Sequence, residues 1–255
     1  MNIQAELISI GNELLSGRTL NTHGRDLGNT LGLIGIDLMR DTTIPDDIPT
    51  IALVVGEALT RVDLVFVSGG LGPTVDDITR DALAKLLDLK VVLDQPTVDY
   101  LKKWYAEHGR NITLAATRQA QVLEGAVVLP NAVGAAPGQR IGFPDGKTLF
   151  VLPGPPAEFN SILSGHIIPW LRKTFANARP RLVRVVRTKG IGESDIVTIL
   201  EAADFHAAGV DIGFYPGKGK VEIRLIADAD DKARIADAEQ KLLALLADYL
   251  DLESD

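Results

Sequence analysis

The chain has 255 residues, 46% of them hydrophobic, and a net charge of −8. That is enough for one large domain or two modest ones with a well-buried core, and the acidic balance argues against a nucleic-acid partner because phosphate backbones need clustered positive charge. There is no cysteine, which excludes disulfides, thiolate metal sites and cysteine nucleophiles.

No segment approaches the roughly 20 apolar residues of a membrane helix, so no membrane association is expected. The start, Met1-Asn-Ile-Gln-Ala-Glu-Leu, lacks the basic head and apolar core of a signal peptide, so a cytoplasmic location is expected.

Ile3 to Ile10 reads as a first strand, followed by a loop and short turn at Gly11-Asn-Glu-Leu-Leu-Ser-Gly17. A helix from about Asn21 to Leu33 turns Leu27 and Leu31 inward and ends at Gly35. Ile36 to Arg40 is a second strand. A second helix starts near Asp46 or Asp47, with an apolar stripe at Ile48, Ile51, Ala52, Val55 and Leu59. Leu64-Val-Phe-Val67 reads as a buried parallel strand.

The stretch from Ser68 to Asp81 carries the strongest signal. It is a glycine-rich turn, Ser68-Gly69-Gly70-Leu71-Gly72-Pro73-Thr74, between that strand and a helix running to Leu87. Open α/β sheets bind ligands there, outside the carboxyl ends of the strands. Glycines let the backbone approach an anion, and the helix start adds N–H groups and partial positive charge. Asp76 and Asp77 oppose this: at ~4 Å and an effective dielectric of ~20, each repels one phosphate charge by roughly 4 kcal/mol. A phosphate can sit there only if a divalent cation or the arginines offset that repulsion. Alternatively, Thr74 and Asp77 match a capping box, and Asp76 is itself a good cap.

Three other segments converge on the same edge. Asn12 and Glu13 follow the first strand, where they can read a base or ribose or merely form a turn. Asp41, Asp46 and Asp47 follow the second strand; they strengthen a metal site, or one of the last two is only an N-cap. Gly134 to Gly138, with Pro137, and Pro153-Gly154 to Glu158 are stiff, proline-bearing loops that suit a preorganised site or a plain tight turn. Glu158 is a candidate catalytic acid or an ordinary first-turn acid.

Between these lie a short strand at Lys90 to Leu93, two helices over about Pro96 to Leu123, and a strand at Val127 to Leu129. A hairpin pairs Gln139–Phe143 with Thr148–Leu152 around Pro144-Asp-Gly-Lys147. The pattern changes near Ala176-Asn-Ala-Arg-Pro180. Strand (Leu182–Thr188), helix (Glu193–Ala203), hairpin (Val210–Tyr215 with Val221–Ile226) and helix (Asp231–Leu250) then suit a small α+β domain. Arg179, Arg181, Arg184, Arg187 and Lys189 form one basic cluster, split across both faces of its strand. Gly217-Lys-Gly-Lys220 reads as a hairpin turn rather than a nucleic-acid clamp. His23, His108, His166 and His206 show neither metal-ligand nor triad spacing.

The expected architecture is an α/β three-layer sandwich with a mostly parallel sheet over residues 1–175, followed by the α+β domain over 176–255.

With these motifs assembled, the chain resembles the N-terminal region of the CinA family. The matching pieces are Gly11-Asn-Glu-Leu-Leu-Ser-Gly17, Thr43-Ile-Pro-Asp-Asp47, Gly69-Gly-Leu-Gly-Pro-Thr-Val-Asp-Asp77, Asn131-Ala-Val-Gly-Ala-Ala-Pro-Gly138 and Leu152-Pro-Gly-Pro-Pro-Ala-Glu158. Gly190-Ile-Gly-Glu-Ser194 matches the start of the family's KH-like domain. The chain departs from the family pattern at Pro45, Val75, Ala132 and Phe159. The resemblance implies a molybdopterin-binding fold of the MoaB and MogA type. It implies hydrolysis of ADP-ribose, FAD or a similar nucleotide with Mg, Mn or Co, and a homodimer. Asp76, Asp77 and Asp46 would hold the metal, Glu158 or Asp46 would orient or deprotonate water, and Gly69, Gly70 and Gly72 would hold phosphate through backbone N–H groups. Two alternatives stand beside it: a molybdopterin-binding or cofactor-biosynthesis protein, which the same resemblance allows, and a non-catalytic scaffold. The nicotinamide mononucleotide deamidase domain of full-length members is expected to lie outside these 255 residues.

Overall fold

The structure, a computed structural model, describes residues 3–107, 109–176 and 180–251. It divides into two compact units, one of Met1–Gly32 and Ile36–Ala178, the other of Arg179–Asp255 with Leu33–Gly35. Arg179 and His108 of the sequence reading lie outside the described residues.

The first unit is built on strands β1 (Ile3–Ile10), β2 (Ile36–Ile44), β3 (Leu64–Ser68), β4 (Val91–Leu93), β5 (Gln121–Leu123), β6 (Val127–Leu129), β7 (Gly138–Gly142) and β8 (Thr148–Leu152). Its main sheet has the order β2-β1-β3-β8-β7-β6. The first four neighbours are parallel, and β7 and β6 are antiparallel. Strand β3 lies at the centre and is buried along its whole length, as its unbroken apolar run requires.

Helices cover both faces. On one face, α3 (Ile48–Arg61) and α4 (Thr79–Leu87) pack Ile51, Val55, Ala58, Ala82 and Leu83 against Ile8, Val65, Val67 and Val151. Each valine, leucine and isoleucine side chain among these contributes roughly 1.5–3 kcal/mol by leaving water. The other face is covered by α2 (His23–Gly32), α7 (Pro156–Ile162) and α8 (Ile168–Thr174), where Phe66 stacks on Phe150 at 4.9 Å and Trp170 meets Phe150 edge-on at 5.7 Å. The result is the expected three-layer sandwich.

The chain enters β2 from β1 through α2, and reaches β3 from β2 through α3 on the opposite face. The connection then moves outward to β8. The order therefore reverses between β1 and β3, and a crevice opens at their carboxyl ends.

Several local expectations are corrected. Residues 11–17 hold a short helix, α1 (Asn12–Leu15). Strand β2 runs on to Ile44, so Asp41 pairs opposite Leu7 inside the strand instead of following it. The region read as two helices to Leu123 contains α5 (Gln95–Glu107), the single turn α6 (Leu114–Thr117) and then β5, which pairs antiparallel with β4. Three residues are too few for alternation to declare a strand.

The second unit keeps the β-α-β-β-α order. Strands β9 (Arg181–Lys189), β10 (Asp211–Gly217) and β11 (Lys220–Asp228) form a sheet ordered β10-β11-β9, with α9 (Glu193–Ala202) and α10 (Lys232–Leu245). Val221, Ile223, Leu225 and Ala227 alternate inward and meet Ile196, Ile235 and Leu242. The last helix ends at Leu245, five residues before the expected end, and a single 3₁₀ turn follows. The basic residues here are engaged in ion pairs. Arg184 meets Glu239 at 3.4 Å, Arg187 meets Glu222 at 3.4 Å, and Lys189 and Lys220 meet the buried Asp251 at 3.6 and 2.6 Å.

Candidate functional site

A cleft of about 500 Å³ opens at the carboxyl ends of β1, β3 and β8. Its floor is the glycine turn after β3. Gly69 and Gly70 have φ of 105° and 66°, the left-handed region that favours glycine. A Cβ on Gly69 would overlap the Ile10 carbonyl, and one on Gly70 would overlap the Thr79 hydroxyl. The turn is pinned from behind: Thr79 donates its hydroxyl to the Gly69 carbonyl at 2.8 Å. Arg80, only 2% exposed, donates to the carbonyls of Leu71 at 2.8 Å and Gly72 at 3.1 Å. Burial pushes the Arg80 guanidinium down to about 10, with Asp77 and Asp81 opposing the shift, so it stays cationic at neutral pH.

The two aspartates do different work. Asp77 Oδ1 accepts the Gly72 N–H at 2.7 Å, and its Oδ2 accepts the Thr74 N–H at 2.8 Å and the Thr74 hydroxyl. Helix α4 begins at Thr79 with Ile78 before it and no side-chain cap, so the expected capping box closes the loop and not the helix. Asp76 is exposed, and its one side-chain partner among the described residues is the Thr74 hydroxyl, whose single proton it shares with Asp77; that bond is the main cause holding its carboxyl below the usual range.

The phosphate cradle is also altered. The Gly69 N–H is bonded to the Leu152 carbonyl at 3.0 Å and the Gly72 N–H to Asp77, so two of the three expected glycine amides are already engaged.

From the other walls, Asp46 reaches in and accepts the Asn12 N–H at 2.9 Å, while Asp47 caps α3 through the Thr50 N–H at 2.9 Å. Glu13, Pro73, Pro153 and Gly154 line the cleft as expected. Glu158 lines it too; burial pushes its carboxyl up, against the Asn131 side chain and the Ala135 backbone N–H, which both favour the charged form. Ser68 donates to the Pro153 carbonyl at 3.1 Å, tying the ends of β3 and β8 together.

Four expected residues lie outside the lining. The backbone of Asn12 starts α1, Gly134 leaves room for the Glu158 carboxylate, Gly138 packs on Ile162 and Leu152, and Pro137 is buried. Asp46, Asp76 and Asp77 share the cleft. Among the described residues, no group of three His, Cys, Asp or Glu side chains is placed to hold a metal ion. Each carboxylate is turned toward a nearby N–H or hydroxyl instead.

The sequence reading passed over Arg80, Asn131, Gln119 and the burial of His23. His23 is 5% exposed, its ring stacks on Phe159 at 4.2 Å, and its Nδ1 lies 3.0 Å from the Ser68 hydroxyl oxygen. The Ser68 hydroxyl reaches both the Pro153 carbonyl and His23 Nδ1, and the imidazole tautomer decides which of them takes its proton. Nε2 and the Gln119 Oε1 are buried in the cleft wall without a hydrogen bond. Burial pushes the imidazole below its usual value, with Asp26 and the Gly154 backbone opposing, so His23 is neutral at pH 7.

The cleft is therefore lined by five carboxylates, Glu13, Asp46, Asp76, Asp77 and Glu158. Among the described residues no lysine or arginine lines it.

A family model described as a probable molybdopterin binding domain matches residues 6–173, and one described as the KH domain of the damage-inducible protein CinA matches residues 183–250. The chain belongs to the CinA family. A crystal structure of CinA from Thermoplasma acidophilum, a protein of unknown function, is 33% identical; the likeness covers 68% of this chain and 99% of that one, with a TM-score of 0.60. A competence-damage inducible protein of Symbiobacterium thermophilum is 37% identical over 96% of this chain and 59% of its own length. A CinA-like protein of Kosmotoga olearia is 36% identical over 97% of this chain and 60% of its own length. The chain thus spans about three fifths of these curated CinA relatives.

Proposed function

We propose that this chain is a divalent-metal-dependent hydrolase of nucleotide pyrophosphates, with ADP-ribose as the substrate to test first. One observation carries the reading: an acidic cleft, lined by no lysine or arginine among the described residues, sits on a glycine turn at the strand-order reversal. Such a cleft repels a bare pyrophosphate by several kcal/mol and accepts one whose charge a cation has offset. Its volume suits a ligand of dinucleotide size.

Oxygen-only donors suit a hard cation such as Mg²⁺ or Mn²⁺. Magnesium commonly takes one or two carboxylates and completes its shell with phosphate oxygens and water. That agrees with separate acids and no three-residue protein centre among the described residues. Asp76 and Asp46 are the donors assigned here, and Asp77 shapes the turn. When bound, the cation neutralises the pyrophosphate and the departing oxygen. Glu158 takes a proton from the attacking water. The water oxygen bonds to one phosphorus, the bond from that phosphorus to the bridging oxygen breaks, and AMP and ribose 5-phosphate leave. The test is AMP release from ADP-ribose with and without chelator. Undiminished release in chelator, or in the Asp76→Ala variant, would overturn the mechanism.

The family model favours a second reading, in which the same cleft holds molybdopterin through its phosphate. Tight molybdopterin binding without nucleotide hydrolysis would select it.

A further inference from the structure

Glu158 has an unusual setting for a carboxylate assigned to move a proton. It is half-buried, yet a Cβ on Gly134 would overlap its carboxyl group, so the loop after β6 is shaped around it. Asn131 stands at the root of that loop and is 5% exposed. Its Nδ2 donates both protons, one to the Ala136 carbonyl at 2.9 Å and one to Glu158 Oε2 at 2.5 Å. Its Oδ1 accepts the Val133 N–H at 3.2 Å. Turning the amide over would set Oδ1 against two acceptors and Nδ2 against a donor, so only one orientation satisfies all three bonds. The Ala135 N–H also reaches the Glu158 carboxylate, and the Tyr100 hydroxyl donates to the Gly134 carbonyl at 3.3 Å, bracing the loop from α5.

We propose that Asn131 is a positioning residue: it holds one oxygen of Glu158 fixed and leaves the other for the water that attacks the pyrophosphate. The assignment deepens the hydrolase reading and rests on it. Donors from Asn131 and the Ala135 backbone restrain the carboxylate, and they favour the ionised, proton-accepting form against burial. The titratable groups facing Glu158 are Tyr100, whose own ionisation is pushed upward, and the acids across the cleft. Tyr100 is therefore neutral over the pH range that matters; burial is the largest influence on where Glu158 titrates, and the Asn131 donor is the chief one opposing it.

Two readouts decide the matter. In the free protein, ¹³C-labelled glutamate NMR with Glu158→Gln as the assignment control gives the titration of Glu158 directly, with no nucleotide present. Loss of the donor in Asn131→Ala should move that titration up by about one pH unit. Asn131→Asp, equal in size but adding a like charge, should move it further. In ADP-ribose hydrolysis the acid limb of kcat should move up in the same order, with KM little changed, and Glu158→Gln should abolish the limb. An unmoved Glu158 titration in both Asn131 variants, or a fall in kcat with the limb in place, overturns the proposal. Failure of the wild-type protein to release AMP overturns the hydrolase reading instead, and the NMR titration still decides whether Asn131 holds Glu158.

Discussion

Asp77 Oδ1 accepts the backbone N–H of Gly72 at 2.7 Å, so the carboxylate closes the turn that it was expected to share with a phosphate. A Cβ on Gly72 would meet the same carboxylate, which ties the two positions together. Asp77→Ala should therefore act on stability. It strips acceptors from the Gly72 and Thr74 amides and should cost about 1–3 kcal/mol, toward the lower end because the site is half-open to water. That corresponds to a melting temperature lower by about 2–8 °C. Asp76→Ala, at an exposed side chain, should leave the melting temperature in place while removing metal-supported hydrolysis. Thermal melts and AMP release on the two variants separate the roles; equal losses of stability would refute the division.

Arg80 should prove a structural cation and not a phosphate ligand. It lies behind the turn and donates to the carbonyls of Leu71 and Gly72. Arg80→Met leaves both carbonyls without those donors and should cost about 2–4 kcal/mol. Arg80→Lys should recover only part, since a single ammonium cannot reproduce the planar fork. Denaturant unfolding measures both. A lysine variant as stable as wild type would show that charge alone matters.

The frame of this site was legible in the sequence because it is local. An unbroken apolar run, a glycine cluster and a helical stripe announce β3, its turn and α4 in consecutive residues. The acids at 46, 76, 77 and 158 were legible for the same reason, each falling between a strand and the end of the next helix's first turn. The supports were not. Arg80 reads as one more charge on a helix until the turn folds over it, and Asn131 reads as a loop asparagine until Glu158 arrives from 27 residues away. His23 opens α2 like a surface residue and is buried only because Phe159 and Ser68 close on it. These partners come from distant segments, and no local period encodes them.

His23 predicts an acid sensitivity with a definite sign. Its folded-state pKa lies below the ordinary 6.5, mainly through burial. As pH falls below that value the unfolded chain takes up the proton first, so stability is full above about pH 6.5 and declines below it until the folded pKa is passed. The decline contributed by one group cannot exceed about 1.4 kcal/mol per pH unit. His23→Phe keeps the stack on Phe159 and removes the titrating group. Urea unfolding at pH 8, 6 and 5 should show a shallower acid decline in the variant than in wild type. Parallel curves would mean that the imidazole is not the group responsible.

Metal and nucleotide should bind together or hardly at all. Asp46, Asp76, Asp77 and Glu158 are each held by an N–H or hydroxyl, and no three-residue protein centre is present among the described residues. Magnesium alone would have to displace those bonds while keeping most of its water, which it gives up reluctantly. ADP-ribose alone meets five carboxylates. With both present, the phosphate oxygens complete the cation's shell and the cation cancels the repulsion. In thermal-shift measurements, magnesium or ADP-ribose alone should therefore move the melting temperature little. The pair should raise it as a bound ligand does, by about 2.7 kcal/mol of stabilisation at one hundred times the dissociation constant. A Glu158→Gln protein, unable to turn the ligand over, gives the cleanest reading. Saturation by ADP-ribose in the presence of chelator would show that the cleft tolerates the bare pyrophosphate, and that the electrostatic basis of the hydrolase reading is wrong.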